Sequence, residues 1–278
     1  MKSRIMPFAD VNGIKIFYEM RGEGFPVILH HGYGATNDVW IGQVGQLSKH
    51  FKVITLDCRG TGKSDHPIVP YTLDSLVEDL KGLINFLKID KAHIIGQSMG
   101  GWITLNFVLK YPDRVKKIVL IGTNHKGSGI QFMKNALSDL YEVQKQDKEK
   151  AFWDYAKLTH HRKVIKEMQV DPKKKFHGIW SAEDMIKELT ENMMTPQDYK
   201  LLADAIEKHD VTDRLSEIEN PTLLIAASHD KLSPKLVMEE LNKGIKNSVL
   251  EIIDGTAHHV FLEEAPKVNQ LIIDFLKS

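Results

Sequence analysis

The sequence predicts an α/β fold, with a mostly parallel central sheet flanked by helices and an inserted helical block. Three observations predict it. Short, continuous apolar runs alternate with helically spaced stretches through residues 1–122 and again through 214–278. Runs of that kind are what parallel strands buried on both faces require. Between them, residues 123–213 lose the alternation and become charged, helical in spacing and rich in aromatic residues and methionine. Finally, a chain of 278 residues with 42% hydrophobic content is long enough to bury the core of one large domain carrying an insertion.

The elements follow in order. MPFADVNGIKIFYEMRGEG holds two short alternating runs joined at Asn12-Gly13, a strong hairpin signal. FPVILHHG reads as a buried strand, DVWIGQVGQLSKH as a helix, FKVITLD as a strand and CRGTGKSDHP as a turn-rich loop. TLDSLVEDLKGLINFLK is an amphipathic helix with Thr72 placed to cap it. AHIIG is a strand, MGGWITLNFVLKYP a helix closed by Pro112, and VKKIVLIG a strand. The block contains three helical segments, GIQFMKNALSDLYEVQKQ, EKAFWDYAKLTHHRKVIKEM and SAEDMIKELTENMMTPQDYKLLADAIEKHD, with no clear strand between them. At about 90 residues it is too long for a connecting loop and is expected to be a lid or cap inserted at a sheet edge. NPTLLIAAS, SPKLVMEELNKG, SVLEIID and LEEAPKVNQLIIDFLK then give strand, helix, strand, helix.

Composition excludes several functions. Lys plus Arg and Asp plus Glu both number 37, so no global field draws nucleic acid or an anionic membrane. The single cysteine, Cys58, allows no internal disulfide and reads as a small buried residue at a strand end. The N-terminal run lacks the apolar core of a signal peptide, and no run approaches the ~18 apolar residues of a membrane span. The expectation is a cytoplasmic protein.

IIGQSMGG places Ser98 between Gly96 and Gly100, directly after a strand and before a helix. A G-x-S-x-G match arises by chance in roughly one chain in ten of this length. Its context is more telling. A serine hydroxyl becomes a useful nucleophile only with a histidine to take its proton, a carboxylate to orient that histidine, and donors for the oxyanion. In a parallel sheet these groups belong at the carboxyl ends of strands. Asp230 lies there after TLLIAAS, and His258 lies there after SVLEIID, in GTAHH before the last helix. The strand PVILH ends in HGYG, a turn able to aim the Tyr33 N–H at the same point as the N–H of Met99, which heads the helix after the serine.

At these motifs the chain resembles the α/β-hydrolase fold superfamily, in its capped, serine-nucleophile, esterase-like branch. ILHHGYG, VITLDCRGTGKSD, IIGQSMGG, NPTLLIAASHD and GTAHHVFLEE stand in the family's order. The resemblance implies cleavage of carboxylic esters, of short to medium acyl chain, through Ser98, His258 and Asp230 and an acyl-enzyme, with neither metal nor organic cofactor. Thioesterases, lactonases and carbon–carbon bond hydrolases share nearly the same motifs, and a non-catalytic binder of a small ligand is the reading from another class. A serine at position 98, where halide- and epoxide-cleaving relatives use aspartate, argues against those two activities.

Some choices stay open in the sequence. The family's final segment usually reads His, four residues, Glu, one residue, Pro, but Ala265 stands in the proline's place and Pro266 follows it. Counting back from Pro266 selects His259, whereas aligning Leu262, Glu263, Val268 and Asn269 selects His258, the preferred base. The other histidine is then cap-facing or a satisfied surface imidazole. His31 is expected to support the oxyanion turn. Neighbouring His30 points to the opposite face, so the two cannot share a metal. DCRGTGKSD lacks the spacing of a phosphate loop and reads as a structural turn. Phe132, Met133, Phe152, Trp153, Trp180, Met193 and Met194 are the candidates to line an acyl pocket, with Trp153, Trp180 and Met194 preferred. HHRK at 160–163 and KKK at 173–175 read as solvated faces, or as a grip for a phosphorylated thioester such as that of coenzyme A.

Overall fold

A computed structural model describes residues 8–127, 129–191 and 194–278. The hairpin forms as expected: β1 (Phe8–Val11) pairs antiparallel with β2 (Ile14–Arg21). Asn12 and Gly13 both take positive φ, 49° and 77°, as a tight primed turn requires. Six strands follow: β3 (Pro26–His30), β4 (Lys52–Leu56), β5 (Ala92–Gln97), β6 (Val115–Ile121), β7 (Thr222–Ala227) and β8 (Ser248–Ile253). They complete an eight-stranded sheet in the order β1-β2-β4-β3-β5-β6-β7-β8. Every pairing from β4 to β8 is parallel. Strands β5 and β7, in the middle of the apolar run, are buried at every position, whereas the edge strand β8 exposes Val249 and Ile252.

Helices cover both faces. One face carries α2 (Leu73–Phe86) and α3 (Met99–Lys110), the other α1 (Ile41–Leu47). Thr72 caps α2 as expected, in a reciprocal box with Ser75. Between β6 and β7 come α4 (Ile130–Gln146), α5 (Lys148–Thr159), α6 (Arg162–Val170), α7 (Ala182–Glu191) and α8 (Pro196–Ile206). The sequence reading joined α5 to α6 and α7 to α8. The first junction breaks because His160 adopts extended backbone and His161 caps α6; the second precedes Pro196, whose helix is capped by Thr195. The chain then returns through α9 (Lys235–Gly244), packed against β7 and β8, and ends in α10 (Val260–Glu263) and α11 (Ala265–Lys277), the latter against α1. Among the described residues no helix is long and apolar enough to cross a membrane.

Candidate active site

Ser98 sits in the turn between the last residue of β5 and the first of α3. Its φ of 52° and ψ of −119° are unfavourable for an L-residue, and its surroundings hold it there. Its N–H donates to the Ile121 carbonyl at 3.0 Å, and its own carbonyl accepts from Gly101 N–H at 2.8 Å and Thr123 Oγ1 at 2.7 Å. The two flanking glycines answer to close approach. A Cβ on Gly96 would lie 2.4 Å from the Gly100 carbonyl oxygen, and one on Gly100 would lie 2.1 Å from that of His30. Strand β5, strand β3 and the start of α3 thus meet with no room for a side chain.

Asp230, in the loop after β7, is held by its own turn: Oδ1 accepts from the N–H groups of Leu232 (2.8 Å) and Ser233 (2.9 Å). Its other oxygen, Oδ2, lies 2.8 Å from His258 Nδ1. An ionised carboxylate only accepts, so the imidazole proton resides on Nδ1 and Nε2 presents a lone pair. That lone pair is 3.0 Å from the side-chain nitrogen of Gln97, which must be the donor. The structure therefore brings His258, not His259, to Asp230. His259 is buried rather than on the surface, and it faces the insertion: its ring packs against Tyr155, His160 and Phe261. Burial, followed by the neighbouring His160 and His258, holds its pKa well below that of an ordinary histidine.

The N–H groups of Tyr33 and Met99 donate to no protein acceptor among the described residues, and both residues line the same cavity as Ser98. Met99 opens α3, where the helix dipole adds partial positive charge. His31 braces the preceding turn: Nδ1 lies 2.8 Å from the Gly32 carbonyl oxygen, while Nε2 accepts from Cys58 N–H at 3.2 Å. Burial pushes its pKa down to about 4, so it stays neutral in this role. The turn after β4 is structural, as the sequence suggested. Asp57 accepts from Asn37 and Lys63 N–H groups, and Arg59 grips Asp79 through both Nε and Nη2.

A cavity of about 410 Å³ opens on Ser98 and His258. From the insertion it is lined by Ile130, Phe132, Met133, Tyr155 and Leu158, and at its rim by Lys157 and Lys231. The preferred pocket residues lie elsewhere. Trp180 is fully buried, stacked on Phe176 with its Nε1–H on the Leu262 carbonyl; Met194 sits in the core; Trp153 packs on Phe152. Phe152 is buried with them, and Met193 lies outside the described residues. Helical spacing tells which residues share a face but not whether that face meets a cavity or another helix. Neither basic cluster lines the cavity: Lys173, Lys174 and Lys175 pair with Glu183, Glu167 and Asp184, and His160, expected on a solvated face, is buried against Trp180 and His259.

Two residues the sequence reading did not single out for the chemistry complete the site. Gln97 touches His258 directly. Glu263, 5% exposed, joins the insertion to the histidine-bearing loop: Oε1 accepts from His161 N–H at 2.5 Å and Oε2 from Ala257 N–H at 2.9 Å. The His259 N–H adds a bond to the Thr159 carbonyl at 2.9 Å. Glu263 had a signal, its fixed spacing from His258 in the final motif.

A family model described as alpha/beta hydrolase fold matches residues 26–265. The chain is 28% identical over 281 residues to a 2-hydroxy-6-oxononadienedioate/2-hydroxy-6-oxononatrienedioate hydrolase of Paraburkholderia xenovorans (strain LB400), covering 95% of this chain and 91% of that one. Its structure is similar to that of the enol-lactonase from Burkholderia xenovorans LB400, with a TM-score of 0.82 and 26% identity over 98% of this chain and 100% of that one. It is also similar to an esterase from Exiguobacterium antarcticum, with a TM-score of 0.79 and 25% identity over 99% and 100%.

Proposed function

The chain belongs to the alpha/beta hydrolase fold family, and we propose that it is a serine hydrolase cleaving carboxylic esters of short to medium acyl chain. The observation that carries this reading is the 2.8 Å bond from Asp230 to His258, which fixes the tautomer whose lone pair faces the cavity lined by Ser98. Ser98 Oγ attacks the ester carbonyl while its proton passes to His258 Nε2. Asp230 stabilises the resulting imidazolium, and the Tyr33 and Met99 N–H groups receive the oxyanion. His258 then protonates the departing alkoxide, and water, deprotonated by the same nitrogen, releases the acid from Ser98. A cavity of about 410 Å³ suits an acyl chain of modest length.

One observation favours a second reading. Lys231 lines the cavity, as does Lys157, whose ammonium also pairs with Asp154 at 2.8 Å, and among the described residues no acidic side chain lines it. A carboxylate-bearing lactone would find a cation at the rim, by the same serine chemistry. The test is hydrolysis of p-nitrophenyl esters from acetyl to palmitoyl, beside a lactone carrying a carboxylate, with Ser98→Ala as blank. Serine-dependent turnover peaking at short or medium esters supports the esterase; turnover of the lactone alone transfers the reading to it. No turnover above the blank on either rejects both.

A further inference from the structure

The Nε2 atom of His258 has to accept the serine proton, yet in the free protein its bond is to Gln97, at 3.0 Å, and Ser98 Oγ has no hydrogen-bond partner among the described residues. We propose that Gln97 is a positioning residue that occupies the His258 lone pair in the free protein and yields it to the Ser98 hydroxyl when a substrate carbonyl enters. The proposal rests on Ser98 and His258 being nucleophile and base.

Three observations carry it. First, the orientation of the amide is dictated. Asp230 Oδ2 requires the proton on Nδ1, so only the NH2 end of Gln97 can face Nε2. Second, Gln97 is 2% exposed and its place is reserved: a Cβ on Gly32 would fall 2.4 Å from Gln97 Oε1. The amide lies over the glycine that begins the oxyanion turn, touching the base on one side and the carbonyl-binding turn on the other. Third, Gln97 lines the cavity beside Ser98, so a substrate that fills the cavity reaches this amide.

The bond is an exchange of donors, with no covalent change. Before substrate, Gln97 N–H donates to Nε2. With substrate bound, Ser98 O–H donates to Nε2, and the freed amide N–H turns to an acceptor in the cavity. The exchange has a signature in pH. A donor at Nε2 is compatible only with the neutral ring, because protonation of that nitrogen removes the acceptor. Gln97 therefore pairs with the neutral ring only. The other groups facing the ring are Asp230 at Nδ1, His259 stacked at 6.0 Å between centroids and His160 from the insertion, with Glu263 behind Asp230. All of them remain when Gln97 is changed.

The test is Gln97→Met, which keeps the length and removes the donor, with Gln97→Glu as a second variant whose carboxylate would favour the charged ring. Histidine ring signals are followed by NMR from pH 4 to 9 in a Ser98→Ala background, with His258 assigned by its loss in His258→Gln. A neutral hydrogen bond alters the preference for the neutral ring by about threefold to tenfold, so the His258 midpoint should move up by about half a unit to one unit in Gln97→Met and further in Gln97→Glu. The acid limb of kcat/KM should move with it in the Ser98 protein. An unmoved NMR midpoint in both variants, with unchanged thermal unfolding, overturns the proposal, as does a limb that stays put when the NMR midpoint moves. The NMR arm needs no substrate: if the midpoint moves and no ester or lactone is turned over, the contact is upheld and the hydrolase reading is what fails.

Discussion

Replacing Glu263 by Gln should change how stability depends on pH, with a sign and a size set by the structure. Burial raises the Glu263 pKa from its ordinary 4.5 to about 7. The two N–H donors, His161 and Ala257, pull the other way and are outweighed, while Glu264 and Asp230 add to the rise. A carboxyl whose folded pKa exceeds its unfolded one binds its proton more tightly in the fold. Its contribution is therefore fully present below about pH 4.5 and declines as pH rises through about 7. At about 1.4 kcal/mol per pH unit, the whole penalty approaches about 3 kcal/mol, of which about 2 to 3 falls between pH 5 and 8. The substituted glutamine carries no charge to bury, but its NH2 end faces one of the two N–H groups, at a cost of about 1–3 kcal/mol that does not vary with pH. Urea unfolding of the two proteins, followed by tryptophan fluorescence at pH 5, 6, 7 and 8, reads the difference between them. Histidine titrations common to both cancel. The wild-type protein should lose about 2 to 3 kcal/mol relative to Glu263→Gln over this range. A difference that stays flat, or grows in favour of wild type with rising pH, would refute the reasoning.

Three further outcomes are expected. Ser98→Ala should lower kcat by about a millionfold on any accepted ester, the scale for removing such a nucleophile, and should abolish the mass increment left by an organophosphate; a rate within tenfold of wild type rejects Ser98. Gly100→Ala should destabilise the fold by more than about 2 kcal/mol, because its Cβ would meet the His30 carbonyl oxygen at 2.1 Å and the nearest atoms are all backbone; an unchanged melting temperature would contradict that packing. Met133→Ala, on the cavity wall, should shift the ester chain-length optimum upward, while Trp153→Ala should leave it in place; the reverse pattern would return Trp153 to the pocket.

What the sequence disclosed, and what it hid, divides along a physical line. The strands were legible because burial on both faces of a parallel sheet leaves a continuous apolar run, and the runs at 92–97 and 222–227 are buried at every position. The meeting of Asp230 and His258 beside the cavity at Ser98 was legible because strand ends in such a sheet converge. The wall of the cavity was not. Trp180 and Met133 are both large apolar residues of the insertion, yet one stacks on Phe176 and the other lines the cavity at Ser98. Only the docking of the insertion on the sheet distinguishes them. Gln97 was hidden for another reason: its role depends on a 161-residue separation closing to 3.0 Å, and nothing local marks it.

The displaced proline shows which part of a motif carries physical meaning. Ala265 opens α11 against Gly42 of α1, its Cβ 3.4 Å from where one on Gly42 would lie, and Pro266 occupies the first turn, where a missing N–H costs nothing. Helix initiation thus tolerates proline at either of two adjacent positions, and counting from it misplaces the histidine by one. The His258–Glu263 spacing has no such latitude. Glu263 Oε2 accepts from the N–H of Ala257, the residue before His258, so a shift of one residue would detach the loop from its carboxylate and turn the imidazole away from Asp230. The register of His258 is therefore set by the glutamate that holds its loop rather than by the proline that starts the helix.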